Sequence, residues 1–367
     1  MTSLSIKQKA QQYVVLTGMA LFIGLLVGAI DMIFGQGLLL IGDFRSQHWP
    51  LILFLALAGL VIVYLYKRFG GKASKGMGLI FDVGHAREEK IPLVLVPLIM
   101  LTTWMSHLFG GSVGREGVAV QIGATLSHRF ARHIKIPDAS RIFLMTGMAA
   151  GFAGLFQTPL AATFFALEVL TVGELQLMAL YPALIASIVA SFTSHALGLE
   201  KFAVPLRETL SWTPETLIKV ALLGLAFGLA GKLFAVSLSW LKKTVAQVLP
   251  NPYIRISVIG AGLSLILLTL QLTKVGSYSG LGTNLIDVAF HQGSAQSYDW
   301  ILKLLFTVVT ISAGYQGGEV TPLFAIGATL GVFLAPMLGL PVLVVAAIGY
   351  ASVFGSATTT VLAPILI

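Results

Sequence analysis

The run from Tyr13 to Gly35 carries a single charged residue, Asp31. A bilayer core about 30 Å thick is crossed by ~20 consecutive apolar residues in a helix. No water reaches the backbone there, so a spanning segment must satisfy its own N–H and C=O groups, which a helix does along its length. Several further runs of this kind follow along the 367 residues, of which 56% are hydrophobic and 10% charged. A soluble domain has about a quarter of its residues charged. The chain is therefore expected to be an all-α polytopic membrane protein. Its first run is too long for the apolar region of a signal peptide and lacks a small-residue cleavage site, so it belongs to the mature chain.

Composition also excludes chemistries. With no cysteine, disulfides, thiol catalysis and thiolate metal sites are absent. The seven histidines show no HExxH and no other paired ligand spacing, so neither metal nor cofactor is expected. In so apolar a chain, 23 basic against 15 acidic residues do not indicate nucleic acid; they mark loops kept on the cytoplasmic side. Lys67, Arg68, Lys72, Lys75, Arg87 and Lys90 follow the second span, Trp49 to Tyr66, whereas the loop before it has only Arg45. That contrast puts the N-terminus and the segment from Lys67 to Lys90 in the cytoplasm. Further spans are expected at Ile91–Phe109, Leu175–Leu197, Glu215–Leu249, Tyr253–Leu272 and Ile301–Ala313. Ile142–Leu170, interrupted by glycines and Pro159, should form two shorter helices. The organisation reads as a cytoplasmic segment over 1–12, a first membrane repeat over 13–198, a linker over 199–214 and a second repeat over 215–367. The chain stops inside TTTVLAPILI, which leads us to expect further helices after Ile367.

The stretch GSVGREGVAVQIGATL, Gly111 to Leu126, organises the rest. Arg115 and Glu116 stand side by side between Gly114 and Gly117, at the opening of an apolar helix that continues through Val118. A charge at mid-membrane depth costs ~2.5–3.5 kcal/mol on the milder insertion scales, so such a pair points to function. The first amides of a helix lack intrahelical partners and carry the positive dipole end, which together make an anion site. A carboxylate there imitates a bound anion; protonated, it ceases to compete. The stretch also recurs: IGATL stands at Ile122–Leu126 and at Ile326–Leu330, a shift of 204, which sets Gly114 against Gly318, Glu116 against Val320 and Gly117 against Thr321. A second echo pairs AGLFQT from Ala153 with ASVFGS from Ala351. Paired breaks in two halves point to a substrate site near the bilayer midplane.

Other residues carry two readings each. Gly76, Met77 and Gly78 form either a glycine turn or the start of a re-entrant helix aimed at the Glu116 site. Met77 fills an apolar gap or lines the pore. Phe81, one turn on, is a packed aromatic or offers its positive ring edge to an anion. Thr321 caps a helix starting near Pro322, contacts the anion, or does both. Glu319 shapes an inner vestibule or accepts a proton. Glu168, Asp31 and Lys232 read as structural, and Arg115 as a local charge or an aid to anion entry.

GREG, the G-x-G after a basic loop, GLFQTPLAATFFALE and GGEVTP together resemble the CLC anion channels and transporters, from about Tyr13 to Ile367. The resemblance implies two inverted repeats with re-entrant, broken helices, a homodimer, and one anion pathway per subunit. It implies that Glu116 competes with the anion and carries the proton, while Val320 and its neighbours offer backbone amides. Met77 stands where most chloride-type members have serine, Val118 where they have proline, and Val169 where many proton-coupled members have an inner glutamate. These departures, with Glu319 and Thr321 at the second break, resemble the bacterial fluoride/proton antiporter branch. No residue matches the pore tyrosine that the family takes from its last helix. The expected function is fluoride export against proton entry across a bacterial plasma membrane, with chloride a weak substrate at most, and lipid and a second copy of the chain as partners. A passive anion channel and a chloride/proton exchanger are the alternatives. An intramembrane hydrolase using Glu116 with a histidine such as His107 lacks a serine–histidine set, a metal pair or an aspartate dyad, so the chain is not expected to be an enzyme.

Overall fold

A computed structural model describes residues 6–200, 203–206, 208–273, 276–292 and 294–367. Among these, α-helix dominates, and seven helical stretches are long and apolar enough to cross a membrane. The first half comprises α1 (Ile6–Gln47), α2 (Leu55–Leu65), α3 (Met77–Gly84), α4 (Leu95–Leu108), α5 (Glu116–Ala131), α6 (Ala139–Phe156), α7 (Pro159–Glu168) and α8 (Leu180–Ala196). The second comprises α9 (Pro214–Val248), α10 (Pro252–Leu272), α11 (Thr283–Asp287), α12 (Asp299–Ala313), α13 (Val320–Leu338), α14 (Val342–Thr358) and α15 (Leu362–Ile365).

The repeated IGATL has a packing cause. Its Gly123 lies where α5 crosses α6 so closely that a Cβ would stand 2.0 Å from the Gly147 carbonyl oxygen. Gly327, its counterpart, would put a Cβ 2.0 Å from the Gly349 carbonyl oxygen, where α13 crosses α14. Glycine at both positions lets two backbones touch, as small residues do at membrane helix contacts. The helices after each crossing break alike: α6 ends on Gln157 and α14 on Thr359, both left-handed with φ of 56°. Pro159 then opens α7 as a first-turn proline, where its missing N–H costs nothing. These pairs, Gly147 with Gly349 and Gln157 with Thr359, correspond at a shift of 202. The AGLFQT/ASVFGS echo, at a shift of 198, is thus one helical turn out of structural register. An apolar helix matches itself almost as well after four residues as in register, which misleads a purely sequential comparison.

The two halves run in opposite senses. Beside α1, α8 has Tyr181 against Tyr13 at one end and the Gly198 carbonyl accepting from Gln36 at the other. The two helices are therefore parallel, and the chain after α8 leaves at the face opposite the N-terminus. After α5, residues His133–Pro137 line a cavity with Gln8 to Val15 of α1, on the N-terminal face. After α13, Gly339–Pro341 line one with Thr209 to Lys219, on the opposite face. Starting from breaks that pair with one another, α5 and α13 head to opposite faces, which is the geometry of inverted repeats.

Several boundaries differ from expectation. The first span is longer, because α1 continues through Arg45, and its early turns include the polar residues from Ile6 to Gln12; residues 1–5 lie outside the described ones. The second span is composite: a 3-10 turn at Trp49–Phe54, then α2, then a π turn at Tyr66–Gly70. The polar loop from Gly276 to Trp300 contains α11 and a π turn at Val288–Gln292, with position 293 outside the described residues. The linker over 199–214 includes positions 201, 202 and 207, which also lie outside them; the rest has no helix until Pro214. Glu168, at the end of α7, accepts from the backbone N–H of Val361, Leu362 and Ala363 and so fixes the start of α15.

Candidate functional site

The two breaks meet as backbone. Gly114 N–H donates to the Gly318 carbonyl at 2.5 Å and Gly318 N–H to the Gly114 carbonyl at 2.7 Å, an antiparallel bridge of one residue pair. Neither strand has room for a side chain: a Cβ on Gly114 would lie 2.7 Å from Pro322 Cδ, and one on Gly318 2.9 Å from Gly117 N. The glycines around Glu116 thus serve to bring two helix N-termini together.

Glu116 is the first residue of α5 and is wholly buried. Its carboxylate is shared between the repeats. Thr321 donates to Glu116 Oε2 twice, through its backbone N–H at 3.0 Å and its hydroxyl at 2.5 Å. Arg115 approaches from its own side, with Nε 3.4 Å from Oε1 and the backbone N–H 3.4 Å from Oε2. The Thr321 amide is one of the four that a helix start leaves without an internal partner. The carboxylate oxygen therefore lies at the positive dipole end of α13, where a negative group is favoured. Charge-assisted bonds to a buried carboxylate, each worth ~1.5–3 kcal/mol, offset a desolvation cost of several kcal/mol.

The remaining sequence-predicted residues fall into three groups. Gly114, Arg115, Gly117, Val320 and Thr321 belong to the seat itself; Val118 is buried in the first turn of α5. Thr321 does not cap a helix: α13 starts one residue earlier, at Val320, and the Thr321 hydroxyl is turned to Glu116 instead. Gly76, Met77 and Gly78 begin α3, which packs on α5; Gly76, with φ of 55°, turns the chain into that helix. The link to the seat runs through Gln121, whose Oε1 lies 3.4 Å from where a Gly76 Cβ would be and whose Nε2 donates to the Gly117 carbonyl at 3.1 Å. Phe81 is half-buried one turn into α3. Glu319 lies apart from Glu116: half-buried, it lines a cavity of about 260 Å³ with Ser239 and Lys242 of α9. His107 is not a partner of Glu116; its Nδ1 lies 2.9 Å from the Thr103 carbonyl oxygen.

Two residues went unread in the sequence. Gln121 is a polar group inside an apolar helix and carries an Oε1 without a hydrogen-bond partner. Tyr350 of α14 is buried against the early turns of α13. Its ring stacks on Phe324 at 4.0 Å and 5° between planes, and Phe324 stacks in turn on Phe156 at 5.2 Å. The signal for Gln121 was its position five residues after Glu116; nothing local marked Tyr350, which reaches the site only through the α13–α14 crossing.

Comparison with known proteins follows the same lines. Residues 58–367 match the sequence profile of the family described as voltage gated chloride channel. A chloride/fluoride channel protein of Pseudomonas syringae pv. tomato is 37% identical over 348 residues, 94% of this chain and 77% of that one. The crystal structure of a CLC-type fluoride/proton antiporter superposes with a TM-score of 0.94 at 49% identity, over 99% of this chain and 91% of its own. A slow cyanobacterial Cl⁻/H⁺ antiporter shares the fold at 20% identity, with a TM-score of 0.74 over 96% of this chain and 93% of its own.

Proposed function

The chain belongs to the voltage gated chloride channel family, and from that premise we propose that it exports fluoride in exchange for protons, with Glu116 as both gate and proton carrier. The observation that carries the reading is the seat of Glu116, a carboxylate held by Thr321 of the opposite repeat at the start of α13. Ionised, it fills the anion's place. Protonated, it loses the charge that the Thr321 donors and the helix end hold, and an anion takes its position. Each exchange at this one seat therefore trades a proton for an anion, which couples the two flows without a second moving part.

Fluoride suits the seat for two reasons. It is small and hard, and it needs short hydrogen bonds in place of its hydration. The seat offers backbone N–H groups and one hydroxyl, that of Thr321, whereas Met77 at the first break brings no hydroxyl. The relatives named for fluoride are the more identical ones, at 37% and 49%. Gly76 to Gly78 and Phe81 form the inner approach, linked to the seat through Gln121. Glu319, facing Lys242 across its small cavity, is the inner proton acceptor in the place left by Val169. The chain works as a homodimer in a bacterial plasma membrane, with the N-terminus and the basic segment from Lys67 to Lys90 in the cytoplasm.

The test is a flux measurement on the purified protein in liposomes with a fluoride gradient, recording fluoride efflux and internal pH together for the wild type and Glu116→Gln. Coupled movement in the wild type that the variant loses is the expected result. Fluoride flow with no pH change in the wild type would make the protein a passive channel. Chloride moving as readily as fluoride would remove the selectivity argument from Met77 and Val118.

A further inference from the structure

One fully buried lysine takes no part in any ion pair among the described residues. Lys303, on α12, has no exposed surface, and its ammonium is held by neutral oxygens alone. Nζ donates to Gly280 O at 2.8 Å, Ser112 Oγ at 2.9 Å and Tyr278 O at 3.3 Å, which uses all three of its protons. Asp299, one turn earlier on the same helix, is turned away: it accepts from the Tyr278 hydroxyl at 2.6 Å and from Gln296 N–H at 2.8 Å. A second basic group lies on the same side: Arg45 Nη1 donates to Ser279 Oγ at 2.6 Å. A cavity of about 660 Å³ opens beside them, on the face opposite the N-terminus, with its acidic residues Asp43 and Asp287 out at the exposed rim.

An unpaired buried charge is expensive, and a methionine would fill the same volume without that cost. Its contacts lead along the chain toward Glu116. Ser112 lies four residues before Glu116, and its hydroxyl also meets Thr307 Oγ1 at 3.0 Å. The Gly111 carbonyl accepts from Gly280 N–H at 3.0 Å. Lys303 thus braces the short strand that ends at the anion seat, and it does so from the opposite repeat. Among the described residues, Arg115 is the other ionisable group that an ion pair sets against Glu116.

We propose that Lys303 is a specificity-determining residue of the anion pathway: its ammonium form, seated behind Ser112 on the strand that leads to Glu116, favours an anion at that seat over a neutral occupant. This rests on the fluoride/proton reading of that seat. Four residues of extended chain reach at most ~13 Å. At an effective dielectric constant of about 20, a unit charge at that range changes anion affinity on the order of fivefold to tenfold.

The experiment compares Lys303→Met, Lys303→Gln and Ser112→Ala with the wild type, by calorimetric fluoride titration and by the pH profile of fluoride efflux from liposomes. Both neutral variants are expected to bind fluoride about fivefold to tenfold more weakly and to change the pH profile of efflux, because the seat then attracts an anion less. Ser112→Ala, which removes the brace and keeps the charge, is expected to move the profile little. A Ser112→Ala variant that reproduces the Lys303→Met result would make the role structural and overturn the proposal. Neutral variants with wild-type affinity and profile would overturn it too, as would failure of both to give a folded, monodisperse protein. Glu116→Gln, run alongside, separates the two levels. If it stays proton-coupled, the seat itself is misread. If it is uncoupled while the Lys303 variants match the wild type, only the role of Lys303 falls.

Discussion

Thr321→Val tests the seat most directly, because valine keeps the shape of threonine and removes one donor. The hydroxyl of Thr321 gives its hydrogen to Glu116 Oε2 at 2.5 Å, while the backbone N–H at 3.0 Å is untouched by the change. A charge-assisted bond of this kind stabilises the ionised carboxylate by ~1.5–3 kcal/mol. The seat would hold fluoride through the same donor, and at 1.36 kcal/mol per factor of ten its loss weakens that hold by about 10- to 150-fold. The sign follows from which occupant the hydroxyl favours: it donates, so it holds a negative charge and not a neutral one. Calorimetric fluoride titration of the purified protein should therefore show weaker binding in the variant, with thermal stability close to that of the wild type. A folded variant with unchanged fluoride affinity would refute the reasoning. A variant that binds fluoride more tightly would mean that the hydroxyl holds the competing carboxylate more than it holds the anion.

The helix crossings and the basic loop make further predictions. Gly123→Ala places a methyl group 2.0 Å from the Gly147 carbonyl oxygen and should destabilise the fold by at least the ~1–3 kcal/mol typical of overpacking, read as a lowered melting temperature in detergent; an unchanged melt would show that the crossing is looser than it looks. Glu88, outside the spanning helices, is held below the usual carboxylate range by hydrogen bonds from Lys72 first and Lys75 second. Its contribution is present above the unfolded carboxyl value of about 4.3 and is lost as pH falls through the lower folded value. Hydrogen exchange in the segment from Gly71 to Glu88 should rise as pH drops through that window, after correction for the intrinsic rate, and Glu88→Gln should flatten the rise.

Much of the site was legible because its chemistry is expensive in lipid. A charged pair between glycines in an apolar run has few explanations, and Glu116 emerged at the first position of α5 as the pattern required. The broken helix after Ile142 was equally readable, since Pro159 cannot continue a helix whose residue before it is pushed out of the helical region. The helix bounds of α1 were not: apolar length says where a segment can cross, and polar residues such as Gln8 to Gln12 or Arg45 extend it wherever neighbours satisfy them. For Thr321 the sequence left a cap and an anion contact both open, because threonine before proline is locally a helix start. Its hydroxyl went to a carboxylate 205 residues away in the chain, a partner that no local rule can name.

By itself the sequence determined the solvent, the helical class, the duplication and the carboxylate at a helix start. Each follows from local composition: apolar length, glycine and proline placement, and the free amides of a first turn. Only the tertiary structure decided the opposite sense of the halves, the register of their correspondence and the identity of the donors to Glu116. Those depend on which backbones approach closely enough to touch, at Gly114 with Gly318 and at Gly123 with Gly147, and that approach is a property of two distant segments together. The same holds for Gln121, whose link from the Gly117 carbonyl toward Gly76 depends on how α3 lies on α5.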